Sequence, residues 1–388
     1  MLMPHDLDQS IDRCRTDSVK WSAYPADTLP LWVADMDFAA PPVVLEALQR
    51  RLEHGVLGYG CEPPELREVF RARLKALYDW EVPKDWLVPL PGVVIGFNLL
   101  CHALTTAGDG VLVQTPAYPP ILAAPANCSC YRDEAPLSQR PDGSYGFDPA
   151  EFEAAIRPRT RVFIFCNPHN PVGRVYTRGE LETLAEICLR HRVTLCSDEI
   201  HADFIYRGYR HVPIASLSRE VGEHTVTLMA PSKTYNIPGL HCAMGIVPDE
   251  ELRSRLEKAR VGLVAEPDIL GYVATVAAYR DAQPWLDDVL AYLEDNRDYV
   301  AEFVRQRLPG ISMVKPEGGY LAWLDCRRLK LPEAPFDFFL HQARVALMPG
   351  PAYGLGGEGF LRLNFGCTRA TLTAALERME RALAGVAQ

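Results

Sequence analysis

The sequence predicts an α/β protein. A large domain on a mostly parallel central sheet is joined to a smaller α+β domain formed by the N- and C-terminal segments. Three observations carry this. Between about residues 87 and 248, short apolar runs alternate with amphipathic stretches, the pattern of strands buried on both faces between covering helices. The polar residues that break the pattern fall just past the carboxyl ends of the apolar runs. Beyond residue 248 the rhythm changes to long helical periodicity followed by a few short strands.

Taken in order, residues 1–30 are polar and irregular. Leu31-Trp32-Val33-Ala34-Asp35-Met36-Asp37-Phe38 then sets two carboxylates in an apolar segment. The plain reading is a turn before a helix at 41–54, with Asp37 near its N-terminus. Gly58-Tyr59-Gly60 reads as a turn. Pro63-Pro64 starts a helix over 63–79 with Leu66, Val69, Phe70, Leu74 and Leu77 on one face. Pro91-Gly92-Val93-Val94 is a glycine turn opening an apolar helix, and backbone N–H groups at such a terminus form an anion site. Strands are expected at 110–114, 161–166, 193–197 and 226–230, with a helix at 177–191 between the second and third. Further on, helices are expected at 249–260, 266–281 and 284–307, and Pro309-Gly310 ends the last of them. Strands at 311–314, 319–324 and 360–365 and helices at 336–344 and 369–384 complete the smaller unit. The expected division is 45–274 for the large domain and 1–44 with 275–388 for the small one.

Composition narrows the function classes. With 388 residues, 48% apolar and 23% charged, the chain has enough apolar sequence for a large core. A net charge of −10 and the lack of a Lys/Arg run argue against nucleic-acid binding. No apolar run approaches the ~18 residues of a membrane span. Met1-Leu2-Met3-Pro4-His5-Asp6 has neither the basic nor the apolar region of a secretory signal. The 11 cysteines are odd in number, scattered and without a CxxC pair. They read as small buried hydrophobes in a reducing cytoplasm, with no disulfide or metal framework.

The chemistry is concentrated at strand ends. Tyr118, Asn170, Asp198 and Lys233 each follow the carboxyl end of an expected strand, the edge where open α/β sheets bind ligands. Lys233 lies in Ala230-Pro231-Ser232-Lys233-Thr234-Tyr235-Asn236, a small-residue, turn-rich setting. A desolvated lysine there has a lowered pKa and a nucleophilic amine suited to a Schiff base. A solvated strand-end lysine is the plain alternative, and four polar side chains on one rim weigh against it.

Three motifs, Asn167-Pro-His-Asn-Pro-Val-Gly173, Ser197-Asp-Glu-Ile-His201 and Pro231-Ser-Lys-Thr-Tyr-Asn236, in this order and spacing, resemble the fold-type I, aspartate-aminotransferase-like superfamily of pyridoxal-phosphate enzymes. The resemblance covers almost the whole chain. Trp32-Val-Ala-Asp-Met-Asp-Phe38 and Asp198-Glu-Ile-His201 are similar to the cystathionine β-lyase subgroup of C–S lyases, the MalY/PatB type. Aminotransferases of the superfamily usually carry tyrosine at the position of His201 and a phosphate-binding arginine at that of His241.

The resemblance implies a cofactor, pyridoxal 5'-phosphate, and a role for each matched residue. Lys233 would hold the cofactor covalently and then act as base and acid at the substrate Cα. Asp198 would pair with the pyridine nitrogen and keep the ring an electron sink. Asn170, with His201 nearby, would face the cofactor's phenolic oxygen, and Tyr118 would stack on the ring. Gly92, Val93 and Val94 would offer N–H groups to the phosphate, and Ser232 a hydroxyl. Tyr59 would reach the phosphate in a neighbouring subunit, which implies a homodimer with shared active sites. Arg362 would grip the substrate α-carboxylate. The implied reaction is α,β-elimination from L-cystathionine or a related S-substituted L-cysteine, giving a thiol, pyruvate and ammonia. An aminotransferase is the first alternative. A non-catalytic regulator is a second, disfavoured by the complete set of site residues.

Overall fold

Dense apolar and β-branched runs make the strands of the main sheet. The computed structural model describes residues 5–386. Residues 1–4 and 387–388, the tips of the expected small domain and most of the stretch read for a signal, lie outside the described residues. Seven strands form the main sheet: β1 (Leu87–Leu90), β2 (Gly110–Thr115), β3 (Tyr131–Pro136), β4 (Thr160–Cys166), β5 (Thr194–Asp198), β6 (Thr225–Met229) and β7 (Ala243–Ile246). Their order is β1-β7-β6-β5-β4-β2-β3, and β7 alone runs antiparallel to its neighbours. A second, antiparallel sheet has the order β8-β10-β9, from β8 (Leu321–Asp325), β9 (Met348–Pro349) and β10 (Phe360–Asn364).

Helices follow the apolar spacing of the sequence. They are α1 (Pro42–Glu53), α2 (Leu66–Tyr78), α3 (Val93–Leu104), α4 (Pro119–Asn127), α5 (Arg178–Arg190), α6 (Glu250–Arg260), α7 (Ile269–Asp281), α8 (Gln283–Arg307) and α9 (Arg369–Val386), with several shorter turns between them. α5 begins with a capping box, in which the Thr177 hydroxyl accepts from Glu180 N and Glu180 accepts from Thr177 N. α8 buries Trp285, Val289 and Leu293 at four-residue spacing, then Val300 and Val304. Its core also takes in Leu31, Met36, Phe38 and Val44 together with Leu361, Leu363 and Leu376, so the start of the chain packs with its end. Leu29–Pro30 pairs with Val345–Ala346 for the same reason. The expected boundaries at 44/45 and 274/275 fall inside α1 and α7.

Some expectations are corrected. No strand forms at 311–314; one bridge, Ser312 to Asp325, is all that pairs there. Pro309-Gly310 before the run and Pro316 after it interrupt the ladder. The expected helix at 336–344 is a single turn at Pro335–Phe338 followed by a wider turn at Phe339–Ala343. Asp37 does not serve the start of α1, whose N-cap is Pro41; its carboxylate turns to Arg13, Lys20 and Trp21.

Candidate active site

Four neighbouring strands bring the rim residues together. In the order β6-β5-β4-β2, the chain leaves the carboxyl ends towards Lys233, Asp198, Asn170 and Tyr118 respectively. Register confirms the alignment: Cys166 at the end of β4 pairs with Asp198 at the end of β5, which pairs with Leu228 of β6. The rim opens into a cavity of about 530 Å³. Gly92, Val93, Val94, Tyr118, Asn170, Asp198, His201, Ser232, Lys233, His241 and Arg362 all line it. Tyr59 does not; its side chain is fully exposed, at 109% of the reference area.

The polar groups sit in an apolar frame that shifts their ionisation. Burial pushes Lys233 down to about 8, helped by Arg362 and opposed by Asp35 and Asp198. Burial pushes Asp198 up to about 7, and Glu199 adds to this, while the Ile200 N–H and Lys233 counter it. Asp198 Oδ1 accepts from Ile200 N at 3.1 Å. Burial lowers His201 to about 3, with Lys233 and Arg362 adding to the effect, so the imidazole stays neutral at working pH. Burial raises Tyr118 above its ordinary value, so it remains a phenol.

Arg362 reaches the cavity from β10, flanked by Trp323 of β8 and Met348 of β9. It is buried, donates from Nη1 to Asn170 Oδ1 at 3.1 Å and from Nη2 to the Trp32 carbonyl at 2.6 Å, and its Nε has no partner. His201 Nδ1 is likewise buried and unpaired. Two unpaired polar nitrogens on residues of one buried cavity are costly unless a ligand completes them. Gly92, the N-cap of α3, also lines the cavity and offers no side-chain cap, so the N–H groups of the helix's first turn are left for an anion. An anion cradle, a desolvated lysine, a buried carboxylate and a guanidinium fit pyridoxal phosphate carrying an amino acid.

Sequence reasoning did not find the peptide carbonyls of this site. Lys233 Nζ donates to the Ala34 carbonyl at 2.7 Å, and Tyr320 Oη donates to the same oxygen at 2.9 Å. Carbonyl oxygens carry no residue signature. Asn364, two residues after Arg362 and on the same face of β10, holds the Val33 and Asp35 carbonyls at 2.5 and 2.6 Å; a buried asparagine in an apolar strand was the available clue. Met348, Ile200, Pro119 and Pro120 also line the cavity unforeseen.

With fold and site in view, the chain belongs to the aminotransferase class I and II family, whose profile matches residues 26–379. Its curated relatives include cystathionine beta-lyase PatB of Bacillus subtilis (strain 168), 39% identical over 391 residues, with 97% of this chain and 100% of the relative covered. Protein MalY of Escherichia coli (strain K12) is 33% identical, with 98% and 99% covered. Among solved structures, cystalysin from Treponema denticola, which contains a pyridoxal 5'-phosphate cofactor, aligns with a TM-score of 0.96 at 33% identity, covering 99% of this chain and 100% of that one.

Proposed function

We propose that the protein is a pyridoxal-phosphate-dependent carbon–sulfur β-lyase that cleaves L-cystathionine or a related S-substituted L-cysteine to a thiol, pyruvate and ammonia. The observation that carries this reading is the convergence of Lys233, Asp198, Asn170 and Arg362 on one cavity, in a chain with β-lyase relatives over nearly its full length. When bound, pyridoxal phosphate supplies an electron-withdrawing ring that stabilises negative charge at the substrate Cα. The protein's own groups do the rest. Lys233 would hold the cofactor and be the group that takes the proton from Cα, since at about 8 its amine can exchange a proton near neutrality. Asp198 supplies the carboxylate for the ring nitrogen, and a cation there restores its charge. Asn170 and the neutral His201 supply hydrogen bonds without adding charge. Tyr118, on the cavity lining, would cover the ring. The first turn of α3 and Ser232 take the phosphate. Arg362 would hold the substrate α-carboxylate on the same cavity that Lys233 lines. Loss of the proton from Cα and of the thiolate from Cβ leaves aminoacrylate, which water hydrolyses to pyruvate and ammonia, while the thiolate takes up a proton to leave as the thiol.

We also propose that two copies pair across the face carrying Val56, Leu57, Tyr59, Val261 and Leu263, all more than half exposed in the single chain, so that each Tyr59 completes the other's phosphate site. A monomer in sedimentation velocity at assay concentration would overturn this pairing. All 11 cysteines are free, in keeping with a reducing cytoplasm as the working compartment. No helix among the described residues is long and apolar enough to cross a membrane. The test of the function is a panel of S-substituted cysteines, cystathionine included, assayed without any 2-oxo acid. The lyase reading expects thiol and pyruvate in equal amounts. Turnover that appears only when a 2-oxo acid is added would replace it with transamination.

A further inference from the structure

The segment Trp32–Met36 has no regular secondary structure, yet its first three residues, Trp32, Val33 and Ala34, line the cavity as one wall. Its carbonyls receive two of the site's cations: Trp32 O from Arg362 and Ala34 O from Lys233. On the inner side the wall is fixed by amides. Asn364 holds the Val33 and Asp35 carbonyls. Asn236 accepts from Met36 N and donates to the Met36 and Phe38 carbonyls, all within 2.9 Å.

The outer side is fixed by charge. Arg13 donates from Nη1 to Asp37 Oδ1 at 2.6 Å and from Nη2 to Asp35 Oδ2 at 2.7 Å. It also reaches the Met36 carbonyl at 3.2 Å and Ser18 Oγ at 2.9 Å. Lys20, only 1% exposed, donates to Asp37 Oδ2 at 2.8 Å and sits 3.5 Å from Asp35 Oδ1. Trp21 Nε1 donates to Asp37 Oδ1 at 3.0 Å. Two cations meet two carboxylates, so the cluster is neutral, and of the four carboxylate oxygens only Asp35 Oδ1 lacks a hydrogen bond. Trp32, whose side chain belongs to the cavity wall, donates from Nε1 to the Lys20 carbonyl at 3.2 Å. None of Arg13, Lys20, Asp35 or Asp37 lines the cavity itself.

We propose that Arg13, Lys20, Asp35 and Asp37 form an ionic latch that ties the segment at residues 13–21 to the outside of the Trp32–Met36 wall and so sets the width of the substrate side of the cavity. They are positioning residues: they act through Trp32 and through the carbonyls that orient Arg362 and Lys233. Removing one member of a desolvated charge cluster leaves its partners uncompensated, so the latch opens as a unit. The wall then keeps only its inner amide bonds. The phosphate cradle at α3 lies on a different element and is untouched.

The inference rests on the lyase reading for its substrate, and the test separates the two. Holoenzyme with Arg13→Ala is compared with wild type in two assays: KM and kcat for cleavage of S-methyl- and S-benzyl-L-cysteine, and binding of L-alanine followed by the change in cofactor absorbance. The second assay needs no C–S cleavage. The latch expects KM and the alanine dissociation constant to rise about tenfold, kcat to change less than about threefold, and the preference between the two thioethers to shrink. It also expects cofactor affinity to stay as in wild type. Arg13→Lys, which reaches one carboxylate in place of two, recovers part of the loss. Asp37→Asn, at the carboxylate that Arg13, Lys20 and Trp21 share, is a second probe with the same expected split. Unchanged alanine binding and unchanged KM in folded Arg13→Ala and Asp37→Asn would overturn the latch. Loss of cofactor affinity in step with substrate affinity would overturn it too, by showing a general structural role. A wild type that binds alanine but cleaves neither thioether would fault the lyase reading while the alanine assay still decides the latch.

Discussion

Lys233 shows what a single residue contributes. At its ordinary value a lysine is neutral in only about one molecule in 2,500 at pH 7; at about 8 the neutral share is about one in ten. The amine proposed to anchor the cofactor is therefore available without a separate base. Because the folded value is lowered, the charged lysine is disfavoured in the fold, and this penalty is relieved as pH rises from about 8 towards the unfolded value near 10.4. The rate of covalent cofactor uptake by cofactor-free protein should thus rise with pH and level off above about 8, and Lys233→Arg should abolish it. Stopped-flow absorbance checks this, and a rate still climbing tenfold per unit at pH 9–10 would contradict it. The sequence showed Lys233 by its small neighbours and its place after a strand. It did not show that His201 would be held neutral, because that follows from burial beside two cations contributed by distant segments.

Elements explain why the cradle is where it is. Gly92 opens α3 with extended backbone, and a Cβ built there would meet no atom within 4 Å. Gly92→Ala should therefore fold as well as the wild type while its methyl enters the space before the first-turn N–H groups. The expected outcome is a melting temperature of the cofactor-free protein within about 2 °C of wild type and a cofactor dissociation constant raised about tenfold, roughly the 1.4 kcal/mol of one weakened anion contact. Thermal melts and equilibrium cofactor titration measure the two, and unchanged affinity would remove α3 from the phosphate site. Long helices such as α8 were legible because their apolar spacing runs over many turns. β3 and β7 were not. β3 is an edge strand with mixed exposure, and β7 is four residues long and is fixed by pairing on both sides, which periodicity does not encode.

For the whole molecule, the sheet order is the device that turns a linear sequence into a site. Tyr118, Asn170, Asp198 and Lys233 span more than a hundred residues, yet leave adjacent strands on one edge. That edge was readable from the alternation of strands and helices alone. The opposing wall was less so, because it is made by the two ends of the chain: Arg362 on β10, and the Trp32–Asp35 segment, whose Val33 and Asp35 carbonyls Asn364 holds. The Trp32–Phe38 motif marked the segment as unusual; the ionic network outside it, with Arg13 and Lys20 from the irregular start of the chain, depends on contacts that no local pattern announces.

The whole account turns on Lys233 being the covalent anchor of the cofactor. Reduction of the cofactor-loaded protein with borohydride, followed by proteolysis and mass spectrometry, tests this most directly. The account predicts one pyridoxyl phosphate group per chain, on the peptide containing Pro231-Ser232-Lys233 and on Lys233 itself, with none retained in Lys233→Ala. A group fixed to a different lysine, or the same yield of labelled protein from Lys233→Ala, would contradict it.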